Sequence, residues 1–206
     1  MDLPTMRARV ETDLKDMGNT VWTDAELDRA IARAIGEYSA AAPPLARVDV
    51  AMGVSRWFDL SGQAGYLWCE AVEHPIDEGS FPEGKGGPSY RLFREDRQAR
   101  KVYVLGDTPA AGENLRFWYA KSHTLDDVGS TIPVEHEELV TVGAAGFAAL
   151  QISVYSIDRL GVTGATPGRW REWAEERLQE FRSRLEALRM SRVTGIGGAV
   201  AWNGIV

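Results

Sequence analysis

Residues 117–150 read FWYAKSHTLDDVGSTIPVEHEELVTVGAAGFAAL, and their period changes partway along. Up to Lys121 the run NLRFWYAK (114–121) has the composition of a strand. From Ser130 onward the period is helical. Pro133 suits a first turn, and Glu135, Glu137 and Glu138 favour the positive end of the helix dipole. Gly143 and Gly146 lie one turn apart, where another backbone can come close. The stretch therefore marks the border between a sheet and a helical part, and the rest of the chain sorts to either side of it.

Upstream the period is two. Val48, Val50 and Met52 alternate, and YRLFRE (90–95) and KVYVL (101–105) flank residues 96–100 as a hairpin. Residues 77–89, DEGSFPEGKGGPS, read as an open loop. Before this block the pattern is helical again. Asp2 can cap a helix with Leu3, Met6, Val10, Leu14 and Met17 on one face, stopped by Gly18 and Asn19. Thr23 and Glu26 form a capping box, with Trp22 and Leu27 as its hydrophobic staple. Leu27, Ile31, Ile35 and Tyr38 line the helix that follows, and Pro43-Pro44 end it.

Downstream, Thr166 and Pro167 open a last helix whose seam is Trp170, Ala174, Leu178, Phe181, Leu185 and Leu188. Its other face alternates Glu and Arg, with Glu180 and Arg184 at i,i+4. The expected fold is α+β: an antiparallel helical bundle of about four helices (1–45 and 122–190), an inserted small antiparallel β-sheet (46–121), and an extended C-terminal arm (191–206).

At 206 residues, 44% hydrophobic and 26% charged, the chain can bury a real core. A net charge of −7 and a pI near 5.1 argue against tight wrapping of nucleic acid, though not against DNA sliding past. A single cysteine, Cys69, excludes an intramolecular disulfide and suits a reducing compartment. The N-terminal MDLPTMRARV has no cationic start followed by an apolar core, so no signal peptide is expected. Residues 139–157 carry no charge over 19 positions, near the length of a spanning helix. Their many small and polar residues fit a helix buried in a soluble bundle better.

Motifs that could carry chemistry are weak. GSFPEGKG (79–86) fits a phosphate-binding loop until Gly86, which stands where Ser or Thr would hold magnesium, and Glu83 would face the phosphates. Cys69, His74 and Asp77 are close in sequence and support the alternative of a small cytoplasmic enzyme. Cys69, however, sits in an apolar strand-like run that suits a buried structural thiol. His74, His123 and His136 share no metal-ligand spacing, so neither metal nor cofactor is expected. YRLFREDRQARK (90–101) has five basic residues against two acidic ones. Arg91, Arg94, Arg97, Arg100 and Lys101 could touch phosphates or a neighbouring subunit, with a solvated hairpin as the plainer reading.

The order of parts resembles the head–tail connector (adaptor) proteins of tailed bacteriophages. The residues carrying the resemblance are the W-T-D-x-E-L run Trp22 to Leu27, the Y-x-x-x-H-x-L run Tyr119 to Leu125, and S-T-I-P at Ser130 to Pro133. The small-residue helix Gly143 to Ala149 completes the pattern. The resemblance covers residues 1–190. It implies a structural, non-enzymatic virion protein of the neck, assembled in the host cytoplasm as a homo-oligomeric ring, usually of twelve. The implied partners are the portal protein above and a stopper or tail-completion protein below. Double-stranded DNA would pass through the lumen without sequence-specific binding, and no membrane is involved.

The tail TGIGGAVAWNGIV (194–206) is uncharged and holds four glycines. Val193 just before it, then Ile196, Val200, Trp202, Ile205 and Val206, supply six sizeable apolar side chains, and burying them cannot alone offset the entropy of ordering so glycine-rich a backbone. Such a segment is expected to order against a partner, and the resemblance implies a portal-docking arm. Trp202, its largest side chain, is the expected anchor.

Overall fold

The computed structural model describes residues 1–16, 20–76, 89–107, 109–155 and 167–196. It contains helices α1 (Leu3–Leu14), α2 (Asp24–Ala41), α3 (Val134–Tyr155) and α4 (Pro167–Ile196). Between α2 and α3 run seven strands: β1 (Leu45–Ala51), β2 (Trp57–Asp59), β3 (Tyr66–Glu73), β4 (Tyr90–Arg91), β5 (Phe93–Asp96), β6 (Lys101–Val104) and β7 (Asn114–Lys121). The mixed α+β class is as expected. The chain divides into a helical unit, Met1–Ala42 with His123–Thr194, and a β unit, Pro43–Ser122.

In the helical unit, Asp2 Oδ1 accepts the Thr5 N–H at 2.9 Å and caps α1. The helix ends earlier than its apolar spacing suggests. Lys15 turns left-handed (φ 56°), and the Lys15 and Asp16 N–H groups bond to the Thr12 and Glu11 carbonyls, which closes the helix end before Met17. Met17, Gly18 and Asn19 lie outside the described residues.

α2 starts as expected: the Glu26 carboxylate accepts from both the Thr23 N–H and the Thr23 hydroxyl, each at 2.8 Å. Met6, Val10, Leu27, Ile31, Tyr38, Leu139, Val140, Phe147, Leu178 and Phe181 are among the residues of one buried core. Much of α3 within it is Gly and Ala. A Cβ on Gly143 would come within 2.8 Å of the Phe181 ring, and one on Gly146 within 3.0 Å of Leu178. The two glycines thus set how closely the α4 side chains approach α3. The α4 seam is buried at Ala174, Leu178, Phe181 and Leu185, with Trp170 and Leu188 half-buried. No described helix is long and apolar enough to cross a membrane.

The inserted β unit holds two antiparallel sheets where one was expected. Sheet A is ordered β1–β7–β3–β4 and sheet B β2–β6–β5. The run 90–95 is not a single strand. It breaks at Leu92, so that Tyr90 and Arg91 pair with β3 while β5 pairs with β6. Period-two patterning shows which face a residue takes but not which strand it pairs with, so the split was not visible. Phe58, Leu60, Val72, Val102, Leu115, Phe117 and Tyr119 anchor a second core between the sheets.

Candidate assembly surfaces

Trp22 and His123, from the segments that resemble connector proteins, have clear local roles in the helical unit. Trp22 is buried, donates its indole N–H to the Ala148 carbonyl at 3.1 Å, and meets the Trp170 ring edge-on at 5.4 Å. The buried Asp16 carboxylate holds the approach to α2. It accepts from the N–H groups of Thr20, Val21 and Trp22, each at 3.0 Å, and from the Thr20 hydroxyl. Burial works to raise its pKa, and these donors together pull it below the ordinary aspartate value.

His123 is the histidine of the Y-x-x-x-H-x-L run. Its ring nitrogens lie 2.9 Å from the Ala42 carbonyl and 2.9 Å from the Thr131 carbonyl, and its N–H donates to Ser39 Oγ at 2.9 Å. The Tyr38 ring lies beside it, tilted, at 4.8 Å, and the Tyr38 hydroxyl lies 2.7 Å from His136 Nδ1. Burial, helped by the Glu135 charge, pushes the Tyr38 phenol up to about 12. The cluster joins the end of α2 to the segment leading into α3.

The five basic candidates do not form one patch. Arg94 is exposed on β5, in register with Tyr103. Arg97 and Arg100 lie in the hairpin turn, which Asp96 closes by accepting the Ala99 N–H at 2.9 Å. Lys101 is exposed at the start of β6, opposite Asp96 and Asp59. Arg97 also pairs with Glu95 at 3.4 Å and lies over the Trp68 ring. Arg91 is set apart: it is half-buried on β4, and its guanidinium donates to the His74 carbonyl and lies 3.2 Å from His74 Nδ1. The hairpin thus presents four of the five.

Among the described residues the thiol alternative finds no supporting geometry. Cys69 is buried, with Sγ 3.6 Å from the Ala71 and Trp118 carbonyls. Burial first, and then Glu95 and Glu70, push the thiol pKa up, away from the thiolate a nucleophile needs. His74 is engaged elsewhere, with Nε2 3.2 Å from Glu113. Asp77 lies outside the described residues, as does the 79–87 loop. No group of three or more His, Cys, Asp or Glu among the described residues could hold a metal.

α4 runs to Ile196, and Val200, Trp202, Ile205 and Val206 of the expected arm lie outside the described residues. The side chains of Val193 and Ile196 are likewise not described.

Two interactions in the β unit had no local signature. Glu95 of sheet B accepts from the Tyr66 hydroxyl at 2.5 Å and the Cys69 N–H at 3.0 Å on β3, which pins the two sheets together. On the face of sheet A opposite its core, Asp49, Arg116 and Glu73 stand in register across β1, β7 and β3. Arg116 and Asp49 form a bidentate pair at 2.8 and 2.9 Å, and the arginine holds the Asp49 carboxyl below the usual aspartate range.

The chain matches no protein-family model and no curated protein. Among solved structures it is similar to a chain in the neck of a native GTA particle computed with C12 symmetry, at 17% identity and a TM-score of 0.30. The match covers 83% of this chain and 92% of that one. A chain in the neck of an empty GTA particle computed with C6 symmetry matches at 18% identity, with 83% and 88% covered and a TM-score of 0.27. A chain in the virion of a native gene transfer agent particle matches at 18% identity, with 83% and 89% covered and a TM-score of 0.31. At TM-scores near 0.3 these likenesses do not establish a shared fold.

Proposed function

We propose that this chain is a structural neck protein of a tailed-phage-like particle: a connector that assembles as a homo-oligomeric ring, of twelve copies, beneath the portal. It would extend the DNA channel and offer a docking surface to a stopper or tail-completion protein. The observation that carries this reading is the behaviour of the connector-like segments. Trp22, His123 and Pro133 each sit at a joint of the helical unit, where the chain enters α2, returns from the β insertion and begins α3. A net charge of −7 suits a lumen that must let DNA pass without holding it.

In this reading the end of α4 from Val193 and the chain that follows it to Val206 enter the portal, and the Arg94, Arg97, Arg100 and Lys101 hairpin meets a neighbouring subunit or the next neck protein. The test is electron microscopy of the purified chain, alone and mixed with its portal, beside a chain lacking Gly195–Val206. The full chain should form rings of defined symmetry on the portal, and the shortened one should stay soluble and folded yet fail to bind. Full portal occupancy by the shortened chain would remove the arm from the mechanism. The absence of rings in every mixture would remove the connector role.

A further inference from the structure

β1 lies at the edge of sheet A, paired only with β7 among the described residues. Edge strands of soluble proteins are commonly short, charged, or interrupted by proline or a bulge, because a free edge invites another strand. The charges of β1 are one of each sign, which repel a random strand less than a like-charged pair would. β1 is seven residues long, LARVDVA, with no proline and an unbroken register to β7. Its odd-numbered residues, Leu45, Arg47, Asp49 and Ala51, are exposed, and Ala46, Val48 and Val50 are half-buried against the core of the β unit.

The hydrogen-bond parity of the strand is fixed at both ends. Lys121 N–H donates to the Pro44 carbonyl at 3.1 Å, and Met52 N–H donates to the Glu113 carbonyl at 2.7 Å. Bonding positions alternate along an antiparallel pair, so Ala46, Val48 and Val50 bond toward β7. The N–H and C=O groups of Leu45, Arg47, Asp49 and Ala51 therefore point away from it, toward the open edge.

The sequence of that edge is self-complementary about Val48. In a second copy laid antiparallel with Val48 facing Val48, Arg47 falls opposite Asp49 and Asp49 opposite Arg47. Leu45 then meets Ala51, and Ala46 meets Val50. All four outward-pointing residues bond to outward-pointing residues, and both charge pairs are of opposite sign. Centring the pair on Arg47 or on Asp49 would set that charge against its own copy. The existing row of charges across sheet A also continues in sign. Glu73, Arg116 and Asp49 alternate across β3, β7 and β1, and the next position would hold the second copy's arginine.

We propose that two copies of this chain pair through β1 about a two-fold axis at Val48, joining their four-stranded sheets into one of eight strands. A two-fold contact is complete after two copies, so it is distinct from the head-to-tail contacts that a ring repeats. Its occupant is a second copy of this chain because the charges, the apolar positions and the bonding parity agree in one register.

The test combines mass and cross-linking. Sedimentation of the full chain from about 1 μM to about 1 mM should show a species of twice the 22.7 kDa chain mass growing with concentration. Arg47→Glu opposes like charges at two places and should weaken that species about tenfold. Val48 lies on the axis, where facing Cα atoms of a non-bonded pair are about 4.5 Å apart, within disulfide reach. Val48→Cys should therefore cross-link to a covalent dimer under mild oxidation. Ala46→Cys places its two thiols on Cα atoms about 14 Å apart and should not. A chain that stays monomeric at the highest concentration overturns the proposal. So does an assembly indifferent to Arg47→Glu, or one in which Ala46→Cys cross-links as well as Val48→Cys.

Discussion

Alanine at Gly143 should destabilise the helical unit, whereas alanine at Gly36 should stabilise it. Both glycines sit inside helices, α2 and α3, so both substitutions gain about 1 kcal/mol of helix propensity. They differ in what the new methyl group meets. At Gly36 nothing lies within 4 Å of the added Cβ. At Gly143 three atoms of the Phe181 ring lie at 2.8 to 2.9 Å, so ring and methyl must separate by roughly 0.7 Å or more to reach ordinary carbon–carbon contact. Phe181 has no room to give: it is 0% exposed and stands edge-on to Phe147 at 6.2 Å. Overpacking of this kind costs about 1–3 kcal/mol. The net at Gly143 is then a loss of up to about 2 kcal/mol, and the gap between the two variants is about 1–3 kcal/mol. In thermal unfolding that gap corresponds to roughly 2–12 °C for a chain of this size, with Gly36→Ala above the parent and Gly143→Ala below it. Adding Phe181→Leu to Gly143→Ala should lessen the clash and couple with it non-additively. If Gly143→Ala were as stabilising as Gly36→Ala, the seating of the Phe181 ring on Gly143 would be wrong.

Asp16 makes the stability of the helical unit acid-sensitive. Its folded-state pKa lies below the unfolded value, so its contribution is fully present above about pH 4 and is lost as pH falls through the folded value. Asp16→Asn should cost about 1–3 kcal/mol at pH 7 in chemical denaturation, with the difference from the parent shrinking as the pH is lowered; a constant difference would contradict the assignment. Trp22→Ala removes a buried ring and its bond to the Ala148 carbonyl, and should cost about 3–5 kcal/mol by the same measurement. A loss below about 1 kcal/mol would mean that Trp22 is not the buried anchor of α2.

What could be read from the sequence was local chemistry. Thr23 and Glu26 are three residues apart, so their mutual bonding is implied by spacing alone, and the α4 seam repeats within a single helix. Gly143 and Gly146 were legible as a smooth face from their one-turn spacing, but what fills it is the Phe181 and Leu178 side chains of α4 rather than another backbone. What escaped depended on residues far apart in the chain. Glu95 bonds to Tyr66 across 29 positions and Asp49 to Arg116 across 67, and neither carboxylate differs in sequence context from a surface one. The end of α1 was missed for another reason: a lysine takes the left-handed position usually marked by glycine. Among the assembly candidates, Arg91 was grouped with the hairpin by composition, but the strand break at Leu92 turns it to His74.

The two units also explain why a β insertion can sit within a helical protein. Within the helical unit, His123 bonds the Ala42 carbonyl, so the point of departure and the point of return are joined there. Within the β unit, Lys121 N–H bonds the Pro44 carbonyl and Leu45 stands opposite Ala120, so the insertion's own ends are neighbours in one sheet. Each unit therefore closes its own ends, and the entropy of loop closure in the helical unit is offset by bonds that do not depend on what lies between them. An insertion attached this way can change its loops and surface charges without disturbing the helical core. The Val48 edge and the basic hairpin both lie on the β unit, so substitutions there leave the bonds that close the helical unit in place.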